Sequence, residues 1–497
     1  MDFKPVAGLK TMFGYNAVAD KGRRQAPKSI VRHESLELKK KDRKKLQATS
    51  LDQARNLSIV AWMIRKHLDY VSKFHVSFRT GDEAIDSLVN RIFKWHGAPQ
   101  NLDISKRLGR DEMFRLFEME KVVGGDAALV KLANLKMQGI ESDMIAKGSW
   151  PDSNKKKSKK EWEKLNDSGL IVDESTGERL QFGVCNRGDG KQVIFDHLES
   201  ATNIIFDGYW TRFTSQFRGV SPLSTAINMV QDVHEGFEWN LIKAKMHALF
   251  GVAILRKASG ETAVGGAAGV QEDLDSDVTD TKADTELDLN PRTINMLDLN
   301  TDEDVKMIES STPSTEFVEG SYLFIQIALL SLDIPVTSFD SRRSSFSARI
   351  ADLNEYEVSA DSKRTKNRYV RQAYSDWVLE QIWNDASSEF KLKDVATKAK
   401  MDLRAVQEAV EWIPQGAPWL DKLKQVKGDE LAIELNEDNP IDAARRRGSD
   451  VFKNIDKKLE VEKYELDQRA LALRAGGATS SDAGETTDGE GGLDQWQ

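Results

Sequence analysis

The chain has 497 residues, 39% hydrophobic and 30% charged, enough length for several cores beneath a heavily charged surface. Lys and Arg number 71 against 80 Asp and Glu, a net charge of -9, which argues against a chain that grips nucleic acid tightly by its phosphates. The one cysteine, Cys185, excludes an intramolecular disulfide and any cysteine-based metal cluster, and fits a reducing cytosol.

Residues 1–48 are polar and basic, with Lys21, Arg23, Arg24 and Lys28 followed by KKKDRKK at 39–45. Few large apolar side chains are available there. The expectation is a flexible arm, either simply solvated or ordered by an acidic neighbouring subunit or nucleic acid. No apolar stretch of signal-peptide type opens the chain. The longest apolar run, 323–332, falls far short of the roughly 20 residues that span a bilayer, so no membrane is expected as a partner. Between 51 and 74, Leu57, Val60, Ala61, Ile64, Leu68 and Val71 recur at helical spacing. Further helices are predicted over 82–96 and 111–122, each ended by glycine, with a strand over 127–133. This part reads as an α+β domain.

Residues 151–168 read as a charged surface insertion running into a short helix. Short β-rich stretches at 170–175, 179–185, 191–196 and 203–210, separated by turn residues, predict a small antiparallel unit. Ser221 is then a natural N-cap, with Pro222 at the first position of a helix to about 250, a rod of roughly 40 Å. The Gly-, Ala-, Asp- and Thr-rich segment 257–285 predicts an exposed mobile loop, with short strands at 293–299 and 305–310. A second helix, 315–332, is closed by Ile334-Pro335. A Ser/Arg-rich loop at 340–347 leads into a long helical tract, 348–386. Helical segments follow at 402–411 and 440–474, and an acidic tail expected to be disordered fills 476–497.

Chemistry finds no home along this order. Of His33, His67, His75, His96, His197, His234 and His247, no two lie four apart on one helix, and no HExxH is present. The glycines from Gly183 to Gly190 approach a phosphate loop, but Asp189 interrupts the pattern and no Ser or Thr follows Lys191; a hairpin turn explains them. No GxSxG elbow occurs, and the acids at 272–284 lack EF-hand spacing. The expectation is a protein that is not an enzyme and uses neither cofactor nor metal.

Four separated elements nevertheless form an ordered set. Arg55-Asn56 lies at the predicted start of an early helix, and Gln216-Phe217-Arg218-Gly219-Val220-Ser221-Pro222-Leu223 precedes a long one. Leu332-Asp333-Ile334-Pro335 follows an apolar helix, and Ser344-Ser345-Phe346-Ser347-Ala348-Arg349 opens the longest. This set resembles the portal proteins of tailed bacteriophages, particularly the lambda-type family, whose Q-x-R-G-x-S-P-L box, L-G-(V/I)-P turn and S-S-x-R element match in order. Asp333 stands where the family has Gly, and Phe346-Ser347 interrupts the last element.

The resemblance implies a predominantly helical α+β portal fold with wing, stem, clip and crown, assembled as a dodecameric ring. By element order it implies a flexible arm at 1–48, a wing at 49–221 and a first stem helix at 222–250. The clip would be 251–312, the second stem helix with a channel loop 313–347, the long connecting helix 348–387, and the helical crown 388–475. It further implies a virion protein at one capsid vertex, made in the host cytoplasm and serving genome packaging, retention and ejection. The implied partners are double-stranded DNA, the large terminase subunit, the major capsid protein and head–tail connector or tail proteins.

Sliding a polyanion requires weak contacts, because each cation that neutralises a phosphate adds counterion-release free energy. Arg342, Arg343 and Arg349 are the candidates for a sparse guiding ring in the channel; pairing with acids of the adjoining subunit is the equal alternative. A different class of function, a non-catalytic cytosolic DNA-binding scaffold, would use the basic arm and the stretch KRTKNRYVR at 363–371.

Overall fold

Polar caps set where several helices begin. Asp82 accepts the amides of Ala84 and Ile85 ahead of one helix, and Ser345 accepts that of Ala348 ahead of the 39-residue longest one. In the computed structural model, residues 33–151, 159–173, 175–188, 193–249, 252–256, 303–307, 314–416 and 422–477 are described. The chain opens with α1 (Glu34–Glu37), α2 (Lys40–Asn56), α3 (Ser58–Val71) and β1 (Phe74–Phe78). There follow α4 (Glu83–His96), α5 (Pro99–Leu102), α6 (Arg110–Gly124), β2 (Asp126–Lys131) and β3 (Met137–Ile140). Next are α7 (Lys159–Glu163), β4 (Leu170–Val172), β5 (Arg179–Arg187), β6 (Val193–Ser200) and β7 (Ile204–Gly208).

Helix α8 (Ile227–Leu249) and α9 (Thr315–Leu329) flank the antiparallel pair β8 (Val252–Arg256) and β9 (Glu303–Met307). The long α10 (Phe346–Asn384) then leads to α11 (Leu392–Lys398), α12 (Leu403–Glu408) and β10 (Val410–Pro414). The described chain ends with α13 (Lys422–Glu434), α14 (Pro440–Arg446) and α15 (Val451–Gly477).

The three largest apolar cores among the described residues hold most of these elements. Ile92 and Phe93 of α4 and Phe114 of α6 pack with Tyr374, Val378 and Leu379 of α10 and Trp412 of β10. Val60, Met63, Ile64 and Leu68 of α3 meet Leu223 and Val230 at the root of α8 and Leu329, Leu332 and Ile334 after α9. Val130, Ile140, Phe182, Val184 and Ile204 join the sheets β3-β2-β7 and β4-β5-β6.

Several expectations need correction. Residues 33–48 are not a free arm: α1 and the first half of α2 bury Leu38 and Leu46 against Val220 and Ile227. Residues 1–32 lie outside the described residues. The helix predicted over 51–74 breaks at Leu57, whose backbone is extended. The last stretch of the predicted antiparallel unit leaves it, since β7 pairs with β2 from Asp126↔Gly208 to Val130↔Ile204. The rod from 222 starts as a 3-10 turn, Pro222–Thr225, before α8 proper. The helix predicted to reach 411 gives way to β10, which pairs antiparallel with β1.

The largest correction concerns 388–475. Phe390, Leu392, Ala396, Val406, Val410 and Trp412 belong to the same core as α4 and α6, so residues 390–414 pack with the N-terminal elements. Even α14 and the start of α15 stay close, with Arg445 on Glu411 and Lys453 Nζ donating to the Val76 carbonyl. The loop expected over 257–285, the strand expected at 293–299 and the tail from 478 lie outside the described residues.

Candidate functional site

The box at 216–223 folds into a buried latch between the β-sheet and the root of α8. Gln216 organises its own loop: Oε1 accepts the amides of Thr211 at 2.9 Å and Arg212 at 3.0 Å, while Nε2 donates to the carbonyls of Tyr209 and Arg218. Arg218 is buried and grips Asp126 with two bonds, Nε to Oδ2 at 2.7 Å and Nη2 to Oδ1 at 2.6 Å. Its remaining donors reach the carbonyls of Ser142, Ser168 and Ile145. Asp126 also accepts the Gly219 amide at 2.8 Å and the Ser142 hydroxyl at 2.6 Å. Burying two charges costs several kcal/mol each, an expense offset only when hydrogen bonds answer both ions, as here.

Gly219 passes so close to Gly125 that a Cβ there would collide with the Gly125 carbonyl. Ser221 Oγ donates to the Val122 carbonyl at 2.6 Å and accepts the Leu223 amide, which anchors the start of the α8 segment to the end of α6. The box thus fixes the point and direction at which α8 leaves the domain.

A second buried network was invisible in the sequence. Lys121 bonds Glu118 at 2.7 Å and Asp207 at 2.6 Å, and Glu118 also receives Tyr209 Oη at 2.8 Å and lies 3.0 Å from His67 Nε2. Burial alone raises the Glu118 carboxyl, but Lys121 and His67 hold it well below the usual range. Burial pushes His67 down despite Glu118 beside it, so its imidazole stays neutral near pH 7. The network ties α3, α6 and β7 together. Farther along α10, Arg371 lies between the rings of Phe74 and Phe114 and donates to the Ser72 carbonyl at 2.6 Å; burial brings its guanidinium down to about 9.

The other sequence-predicted residues are scattered and mostly exposed. Arg55 and Asn56 end α2 rather than open a helix, both facing solvent, with Asn56 donating to Asp52. Asp333 takes the left-handed conformation, φ 58°, that its glycine counterpart would adopt freely. Its carboxylate receives Ser359 Oγ at 2.6 Å and Lys363 Nζ at 2.8 Å, bonds glycine could not make. Pro335 precedes a short 3-10 turn, Val336–Ser338, while Ser344 and Ser345 shape the entry to α10. Arg342 is 90% exposed and pairs with Asp340 at 3.1 Å; Arg349 is exposed on the first turn of α10. The side chain of Arg343 lies outside the described residues.

The basic stretch at 363–371 is no open cationic face. Arg364 and Arg371 are buried and Lys363 is tied to Asp333, which leaves Lys366 and Arg368 exposed. Gly183 lies within β5, paired with β6, in keeping with the hairpin reading; Asp189, Gly190 and Lys191 lie outside the described residues. Among the described residues, no three His, Cys, Asp or Glu converge as a metal site, and no helix is long and apolar enough to cross a membrane.

The remaining feature is the stalk. Helices α8 and α9 pack together, with Phe237 edge-on to Phe317 at 5.3 Å. On either side of that contact, Trp239, Leu241 and Ile242 of α8 and Leu323, Phe324 and Ile327 of α9 lie exposed, Trp239 at 69%. Contiguous exposed apolar surface of this kind marks interaction sites on soluble proteins.

The family model described as phage portal protein, lambda family, matches residues 22–363, and the chain belongs to that family. Its fold is the predominantly helical α+β portal fold. No curated protein matches the chain. Solved structures similar to it come from gene transfer agent particles. One is the virion of a native particle, with 13% identity, 80% of this chain and 89% of that one covered, and a TM-score of 0.40. Another is the neck of an empty particle with C6 symmetry, with 12% identity, 78% and 89% covered, and a TM-score of 0.41. A third is the neck of a native particle with C12 symmetry, with 11% identity, 80% and 93% covered, and a TM-score of 0.38.

Proposed function

We propose that copies of this chain close into a dodecameric portal ring at one capsid vertex, through which double-stranded DNA is packaged, retained and ejected. The observation that carries this reading, beside family membership, is the exposed apolar surface of α8 and α9 on a domain whose latch pair, Arg218 and Asp126, is buried and fully hydrogen-bonded. Ring closure needs head-to-tail contacts between different faces of one subunit, and the stalk supplies apolar faces for them.

In this reading α8 and α9 are the stem, the segment between them with β8 and β9 is the clip, and the wing comprises α1–β7 completed by residues 388–416. The crown is left to the chain from α13 onward. Arg342, Arg343 and Arg349, at the junction that follows the second stem helix, form a sparse cationic ring in the channel. Weak, separated cations guide a duplex without trapping it. The clip serves the large terminase subunit during packaging and head–tail connector or tail proteins afterwards, the wing meets the major capsid protein, and the ring takes no catalytic step. The burial of Arg364 and Arg371 weighs against the monomeric DNA-binding scaffold.

The channel role is tested with Arg342→Glu/Arg343→Glu in a packaging assay. Normal ring assembly with impaired packaging or genome retention is expected; normal packaging would remove these residues from the channel.

A further inference from the structure

A groove of about 450 Å³ opens between α6 and the β2–β3 hairpin, away from the stalk. Met113, Leu116 and Phe117 of α6 line one wall, Leu51 of α2 and Ile104 lie along it, and Glu120 sits at its edge. Leu116 is 46% exposed and Ile104 49%, so two large apolar side chains face solvent in one concavity. A groove of this shape suits an amphipathic segment presenting apolar side chains three and four residues apart.

The chain carries such a segment ahead of α1. Phe3, Val6, Leu9 and Phe13 recur at that spacing, interleaved with Lys4 and Lys10. Residues 1–32 hold seven Lys or Arg against two Asp. The groove lining carries Asp103, Glu120 and Glu141 against Arg107, with Glu141 also paired to Arg187, and burial pushes the Glu120 carboxyl up to about 7. A lysine brought there would favour the ionised carboxylate and be favoured by it. Reach is no obstacle, since the linker at 14–32 extends about 60 Å at roughly 3.3 Å per residue, and α2 borders the groove through Leu51.

We propose that residues 3–13 of this chain dock in the groove between α6 and the β2–β3 hairpin, with Phe3, Val6, Leu9 and Phe13 against Leu116 and Ile104 and the lysines toward Glu120. This surface is separate from the α8–α9 stalk, so its test does not depend on the ring.

The test places an environment-sensitive thiol dye on Leu116→Cys in the full chain, with Ile104→Cys as a second probe. Cys185 is buried and its thiol is pushed up to about 11, so it does not compete for label. The expected result is emission shielded from a soluble quencher in the full chain. Quenching should rise several-fold in the Phe3→Ser/Val6→Ser/Leu9→Ser/Phe13→Ser variant, and an added peptide of residues 1–20 should restore the shielding. Equal quenching in the two chains overturns the proposal, whether both probes are open or both are covered by some other surface. Failure of the peptide to shield the variant overturns it as well.

Discussion

The two ends of α8 are finished in opposite ways. At its root, Arg218, Asp126, Gly219 and Ser221 leave no donor of the latch arginine unanswered, and Leu223 and Val230 are sealed against α3. About three turns further on, Trp239, Leu241 and Ile242 face solvent. One helix therefore begins packed among side chains of its own domain and, by 239–242, is left open by the described residues. The family box marks the first part, and its work is to aim the second.

Breaking the closed end should have the largest effect. Arg218→Ala leaves Asp126 buried without its cation and is expected to cost about 3–5 kcal/mol, read as a lowered denaturation midpoint. Arg218→Lys should also be destabilised, because a lysine cannot make the two-pronged contact. Wild-type melting of Arg218→Ala would erase the contrast between the two ends.

An intermediate effect concerns Glu120. Its folded pKa, about 7, lies above the usual 4.5, so the folded state binds the extra proton and its contribution to stability falls as pH rises from about 4.5 to 7. Glu120→Gln keeps an oxygen for the Ser142 amide and should gain on the order of 1–2 kcal/mol above pH 7, with a flatter stability profile across that window. Parallel profiles for the two proteins would contradict the assignment.

Asp333→Gly should change stability by less than about 1 kcal/mol, because relief of the left-handed conformation offsets loss of the Lys363 and Ser359 bonds. The smallest effect on the protomer belongs to the open end. Trp239→Ser with Leu323→Ser should leave protomer melting within about 0.5 kcal/mol of wild type, since neither side chain is sealed by its own chain, yet should abolish oligomers in size-exclusion chromatography.

The helix at 83–96 was legible because apolar spacing, the polar cap Asp82 and the stop at Gly97 agree there; the helix at 110–124 offered its spacing and the stop at Gly125, and that at 346–384 its polar cap Ser345. The docking of α2 was not. Its buried face carries Arg43, Gln47, Ser50 and Gln53, and Gln47 and Gln53 bond the carbonyls of Gly124 and Ile227, a seam that looks like a solvated surface in any hydrophobic pattern. The return of residues 390–414 to the first core was equally hidden, because β10 finds its partner β1 near the other end of the chain. Of the candidate site, the box was found by its residues and its order. Its physical role was not, since Asp126, Ser142 and Val122 lie far from it in sequence. The run at 363–371 misled for the converse reason: long guanidinium side chains reach inward to backbone carbonyls from a stretch that reads as charged surface.

Electron microscopy of the purified full chain bears most directly on whether identical subunits enclose a passage. Hollow rings are the predicted outcome, with the α8–α9 pair at the contacts between neighbours and a bore wide enough for a duplex. A population of solid monomers or dimers under all assembly conditions, with Trp239 and Leu323 still facing solvent, would contradict the account.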